Sequence, residues 1–219
     1  MKKQKKNKYG PLFAFCLKAV KIFGKKSKVV GQVPAQPCIF LCRHLDSGGV
    51  VQSLTSIPAV VRPWCLDCFT DRKSATKQLR DYTYSKRLKK GKLFCKIVPP
   101  IVATGYVALV KSAKCIPVYR GENSGKSVQT VIQSVRALEN GENILIYNDI
   151  DYASTQNATD GDIYTGFTLV DKMYFRRNAK HIPVVPVFMD GKTTVIHSPV
   201  YCNEPNAVEK VKHGMYNRE

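Results

Sequence analysis

At 219 residues the chain is long enough for one sizeable core and somewhat short for two, and a formal charge of +19 points to an anionic partner. Nucleic acid, anionic lipid and phosphorylated substrates all stay open, because charge sign does not separate them. Eight cysteines in a chain of this length, with no signal-peptide cleavage site after the first apolar run, point to reduced cytosolic thiols rather than a disulfide framework.

Ten lysines lie between Lys2 and Lys28 without a single acidic residue among them. Within that stretch Pro11 to Phe23 reads as a helix. Lys18 and Lys21 share one face, and Leu12, Phe15, Cys16, Ala19, Ile22 and Phe23 fall largely on the other. Such a helix is shorter than the roughly 20 residues a spanning helix needs, and suits either a membrane interface or the domain's own core. Residues 1–30 are therefore set apart as a basic amphipathic membrane-interface segment, with an α/β domain over 31–219.

Gly31 to Pro37 reads as a linker and Cys38 to Cys42 as a buried strand. The strand opens into Cys42-Arg43-His44-Leu45-Asp46-Ser47-Gly48-Gly49, ahead of a helix expected from Val50 to about Ile57. Ligands of open α/β sheets sit beyond the carboxyl ends of the strands, so a histidine beside a carboxylate here is placed for proton transfer. A second strand is expected over Val60 to Leu66. It runs into Cys65-Leu66-Asp67-Cys68, which with Cys38 and Cys42 offers four thiols. Cys38 and Cys42 flank a strand rather than a knuckle turn, so no metal site is expected.

Ala75 to Leu88 reads as a surface helix inside a second basic cluster, Arg72 to Lys96, relieved mainly by Asp81. Leu93 to Val110 is apolar, but Pro99-Pro100 is expected to break it and so to argue against a single spanning helix. A core helix, a segment dipping into a bilayer surface and the lining of an acyl-chain groove remain open for it. Cys115 to Tyr119 is a short strand ending in Arg120-Gly121, followed by a helix from Gly125 to Glu139. Asn143 to Asn148 is another strand, opening into Asp149-Ile150-Asp151-Tyr152. A helix over Gly166 to Arg176 follows, then strands over Ile182 to Met189 and Thr193 to His197. Pro183 and Pro186 demote the first of these from the sheet centre or imply local irregularity. Beyond Val200 the tail is polar. Buried strands alternating with amphipathic helices give an α/β fold: a mostly parallel central sheet flanked by helices, with the N-terminal amphipathic helix appended.

Two chemistries compete on this frame. Gly121-Glu122-Asn123-Ser124-Gly125-Lys126-Ser127 follows a strand, opens a helix and ends like a phosphate-binding P-loop, with Asp149 as the accompanying acid, which would suit an NTPase or kinase. The loop is one residue short of that pattern. Alternatively, if the strands bearing His44, Arg120 and Asp149 are neighbours, one sheet edge presents a base, a cation and carboxylates. That set suits acyl transfer to a hydroxyl of a phosphorylated acceptor, with His44 as base and Arg120 on the phosphate.

The order of blocks resembles the glycerolipid acyltransferase family, which includes the 1-acylglycerol-3-phosphate acyltransferases, from roughly Pro37 to Pro199. Cys42-Arg43-His44 resembles its histidine block, except that Gly49 stands where the family has an aspartate and the nearest acid is Asp46. Cys115 to Gly121 resembles its arginine block. Tyr147 to Tyr152 resembles its third block with Asp149 at the glutamate position, and without the glycine and arginine that follow. Ile182 to Val187 resembles its proline-containing fourth block. The resemblance implies an enzyme that moves a fatty acyl group to a lysophospholipid or glycerol-phosphate in phospholipid synthesis. The donor would be acyl-CoA or acyl carrier protein, with no bound cofactor and no metal.

On that reading His44 and Asp46 are catalytic, and Arg43, Arg120, Gly121, Asp149 and Asp151 bind substrate. Asp149 or Asp151 is the alternative carboxylate for orienting His44. The basic clusters would hold the protein peripherally on an anionic membrane surface, the inner face of the cell membrane, and attract an acyl carrier protein. No zinc-finger spacing, RNP-like aromatic motif or clear helix-turn-helix is visible, so nucleic acid is not expected as a partner. A non-catalytic lipid- or nucleic-acid-binding module is the remaining alternative.

Overall fold

The computed structural model describes residues 8–119, 124–148 and 163–219, with the side chains of all of these except 46, 47 and 124. In chain order the elements are α1 (Pro11–Phe23), β1 (Lys28–Val30), β2 (Ile39–Cys42), α2 (Asp46–Ser56) and β3 (Val61–Leu66). A 3-10 turn (Asp67–Phe69), α3 (Arg72–Gln78) and a π-helical stretch (Leu79–Arg87) follow, then α4 (Lys92–Ser112), β4 (Ile116–Val118) and α5 (Ser124–Glu139). The chain ends with β5 (Asn143–Tyr147), α6 (Gly166–Asn178), β6 (Val184–Met189), β7 (Thr193–Ile196) and α7 (Ala207–Tyr216). It divides into two compact units, one containing Leu17–Arg62 and Val131–Glu219, the other Tyr9–Cys16 and Pro63–Thr130.

The first unit is built on the strand order β1-β7-β6-β2-β5. All pairs are parallel except the antiparallel β6 and β7. This is the mostly parallel α/β sheet that the alternation of apolar strands and amphipathic helices predicts. β2 lies inside it with every residue buried, and Ile39, Phe40 and Leu41 each contribute about 1.5–3 kcal/mol of apolar burial. Side chains alternate across the sheet. Phe40, Cys42, Val185 and Val187 therefore share the face on which Leu54 and Ile57 of the α2 region pack. Pro186 points the other way, against Gly214 of α7.

Three expectations change here. α2 begins at Asp46 rather than Val50, because Leu45 takes a left-handed conformation (φ 41°) that turns the chain straight from β2 into the helix, and Gly49 N donates to Leu45 O at 3.1 Å. β6 is an interior strand despite its proline. Ile39 N donates to Pro183 O, so in the parallel ladder the residues bonded to β2 alternate as Val185 and Val187, and Pro186 owes that side no N–H. The Pro186 carbonyl instead accepts from His197 N at 3.1 Å. The polar tail, finally, contains α7, whose Ala207, Val211, Gly214 and Met215 are buried at helical spacing.

In the second unit, β3 and β4 pair in parallel from Trp64 opposite Ile116 to Leu66 opposite Val118. α4 packs on α3 and the π-helical stretch, closing a small core of Ala75, Leu79, Ala103 and Val107 flanked by Phe69, Tyr84 and Val102. The Pro99-Pro100 pair does not break α4, which runs unbroken for 21 residues and is long and apolar enough to cross a membrane by length and composition. The surface helix expected over 75–88 is likewise two segments, an α-helix capped by Asp71 and the π-helical stretch. Asp71 accepts from Lys73 N and Ser74 N at 2.8 and 3.0 Å, and these bonds, the Ser74 pair above all, lower its pKa.

Candidate active site

The site grows out of one register. Cys42, the last residue of β2, stands opposite Tyr147, the last of β5, so the carboxyl ends of two adjacent parallel strands lie side by side. The pairing continues one step further, with Asn148 N donating to Cys42 O at 3.0 Å. His44 lies two residues beyond the end of β2, just before the left-handed Leu45. Its imidazole meets the Tyr147 ring edge-on, with centroids 5.3 Å apart and planes at 65°. The Tyr147 hydroxyl is 2.9 Å from the hydroxyl of Ser53, which is buried on α2 and also donates to Val50 O at 2.9 Å. Histidine, tyrosine and serine thus form a polar cluster fixed by three elements, β2, β5 and α2.

Gly49 closes the cluster from below. A Cβ on it would lie 2.4 Å from the His44 carbonyl oxygen and 2.6 Å from Leu45 Cβ. The first turn of α2 is therefore pressed onto the backbone that carries His44, and the position five residues after the histidine has no room for a side chain. Gly48, its neighbour, has open space.

Arg43 lies beside this cluster, half-buried, with its guanidinium 4.4 Å from the centre of the Tyr216 ring. That cation–π contact ties the end of β2 to the end of α7. Tyr216 lies in the stretch beyond Val200 that composition marks as a polar tail; the signal for α7 there is the apolar spacing from Ala207 to Met215.

The backbone of Asp46 opens α2 two residues after His44, and its side chain lies outside the described residues. Arg120, Gly121, Asp149 and Asp151 also lie outside them. In sequence Asp149 follows Asn148 and Asp151 comes two residues later; Asn148 itself is buried, and its carbonyl accepts from Tyr164 N at 2.9 Å. The P-loop-like stretch is described only from Ser124 onward; Lys126 is exposed on α5 and Ser127 donates to Tyr119 O at 3.3 Å.

Two other histidines have structural work. His181 Nδ1 is 2.8 Å from Asp171 and its ring stacks on Phe175, while His197 Nε2 is 3.1 Å from the Asn217 carbonyl. Burial pushes the His197 pKa down, against the pull of that carbonyl and with help from His213. His44 stands beyond the paired carboxyl ends of β2 and β5, whereas His197 follows β7 and is engaged by the residue after α7. Among the described residues no group of His, Cys, Asp and Glu has the spacing to hold a metal ion.

No protein-family model matches the chain, and no curated protein matches it. A solved structure that does is the 1-acyl-sn-glycerophosphate (LPA) acyltransferase PlsC from Thermotoga maritima, at 15% identity, covering 93% of this chain and 79% of that one with a TM-score of 0.44.

Proposed function

We propose that the chain is an acyltransferase that esterifies a hydroxyl of a lysophospholipid or glycerol-phosphate, using acyl-CoA or acyl carrier protein as donor. The observation that carries this reading is the position of His44 at the joined carboxyl ends of β2 and β5, against Tyr147. A base there meets an acceptor hydroxyl lying beyond the sheet edge. His44 takes the hydroxyl proton as the oxygen attacks the thioester carbonyl carbon. The ester C–O bond forms, the C–S bond breaks, and the proton passes from the imidazole to the departing thiolate, so the base is regenerated.

Asp46, two residues on, is the proposed partner that fixes the imidazole tautomer, with Asp149 or Asp151 in reserve. Arg120 is proposed to take the acceptor phosphate bidentately beside Gly121. Tyr147 contributes position: its ring limits rotation of the imidazole and its hydroxyl is held by Ser53.

Purified protein should transfer a radiolabelled acyl group from the thioester to lysophosphatidic acid. His44→Ala should lower the turnover by on the order of 100- to 10,000-fold while leaving the thermal unfolding curve in place. Wild-type turnover in that variant would remove His44 from the chemistry, and a wild type silent with both donors would leave a lipid-binding module in place of an enzyme.

A further inference from the structure

The outer face of α4 is used by nothing described so far. Its inner face, Cys95, Pro99, Ala103, Val107 and Val110, recurs every three or four residues and is buried. Leu93, Ile97 and Ile101 recur at the same spacing on the outside and are 72%, 54% and 69% exposed, with Phe94 beside them at 40%. At 1.5 Å per residue the stripe from Leu93 to Ile101 is about 12 Å long. Isolated exposed leucines mean little, but a continuous stripe of aliphatic side chains on one helix face marks a surface made to be covered.

The chemistry around the stripe says what covers it. Lys92 and Lys96 each precede a stripe residue, so they line one edge of it along the helix. Arg80, Lys90, Lys92 and Lys96 line a shallow cleft at the start of α4 whose single carboxylate, Asp81, is already paired with Arg80 at 2.7 Å. Lys90 also reaches over the Phe94 ring, 6.0 Å from its centre. No Asp or Glu occurs from Tyr82 to Gly121.

The helix starts at Gly91 with no side-chain cap and no acidic residue in its first turn, so lysines crowd the positive end of the helix dipole. An anion at that end would relieve both. A surface that offers phosphates at one level and hydrocarbon a few ångströms deeper matches cations edging an aliphatic stripe; a nucleic acid would use the cations and leave the stripe in water.

We infer that the outer face of α4 docks on an anionic phospholipid bilayer, with Leu93, Phe94, Ile97 and Ile101 in the interface and the Arg80–Lys90–Lys92–Lys96 cleft on lipid phosphate. The helix lies along the surface rather than crossing it, since its inner face is taken up by α3 and the π-helical stretch. This inference does not depend on acyl transfer by His44, and its readout is binding alone.

The full chain is mixed with phosphatidylcholine vesicles with and without phosphatidylglycerol, and the bound fraction is read by co-sedimentation. Binding should require phosphatidylglycerol, fall with added salt, and be released by alkaline carbonate. The Leu93→Ser/Ile97→Ser/Ile101→Ser variant should weaken it tenfold or more. Lys90→Gln, Lys92→Gln and Lys96→Gln should each weaken it roughly fivefold. Ile101→Ser alone, at an exposed position, provides a reading in a chain whose circular dichroism and melting match the wild type.

Unchanged binding in the serine variants overturns the inference, as does binding lost only on substituting Phe15 and Phe23 of α1. Retention after carbonate would make α4 a spanning helix instead. A dimer in size-exclusion chromatography that the serine variant dissolves would give the face to a second copy of the chain.

Discussion

Gly49 decides what this site can become. Its missing side chain lets the first turn of α2 close onto His44, with the position of a Cβ only 2.4 Å from the His44 carbonyl oxygen, a backbone atom that cannot swing aside. Gly49→Ala should therefore destabilise the protein by about 1–3 kcal/mol, the usual range for forcing a methyl into a packed place. Gly48→Ala, next to it in the same helix and facing open space, should be neutral or stabilising by up to about 1 kcal/mol. Urea midpoints with unchanged slopes measure both, and equal effects at the two positions would show that the contact at Gly49 is not tight. It follows that an aspartate cannot simply be placed five residues after His44. The glycine there is visible in the sequence as a letter, but its reason is a backbone contact that no spacing rule reveals.

At the scale of elements, what was legible and what was not follow from the same physics. β2 and β5 are runs of contiguous apolar residues and α5 has helical apolar spacing, so local pattern and tertiary packing agree. At α4 they conflict: two prolines remove two helical N–H donors, yet Pro99 is itself buried in the inner face, and packing on α3 holds the helix through them. β6 tolerates Pro186 only because of a register that the sequence does not print. The link from α6 to β6 was equally hidden, because its donor and acceptors are distributed over a turn. Asp171 of α6 is buried and accepts from Ile182 N at 2.9 Å and pairs with His181 at 2.8 Å, holding the start of β6 to the helix. Asp171→Ala strands a backbone N–H and an imidazole, and should cost about 3–5 kcal/mol. Asp171→Asn keeps one acceptor and should cost distinctly less. Thermal melts that rank the two variants equally would mean the carboxylate's bonds contribute little.

Across the whole molecule the eight cysteines are all free thiols, spread over both units, so no covalent crosslink shares in the stability of the fold. Burial pushes the thiols of Cys38 and Cys115 up to about 12, and Cys202 reaches about 12 through burial and the neighbouring Asp171. Cys65 is raised as well, by burial and then by Cys115 and Cys68, against the pull of the Leu66 backbone. A thiol whose pKa is that high holds almost no thiolate at pH 8, and the thiolate is the form that reacts. In the native protein these four should therefore modify with Ellman's reagent far more slowly than a free thiol, and the fully buried Cys38 only at a rate set by opening of the structure. Denaturant should expose them all at once. Peptide mapping after a short pulse identifies which sites react, and fast native labelling of Cys38 would contradict a closed core around β2. Because no disulfide is present to reduce, the unfolding midpoint should be the same with and without a reductant; a midpoint that falls on adding reductant would require a crosslink that these thiols do not form.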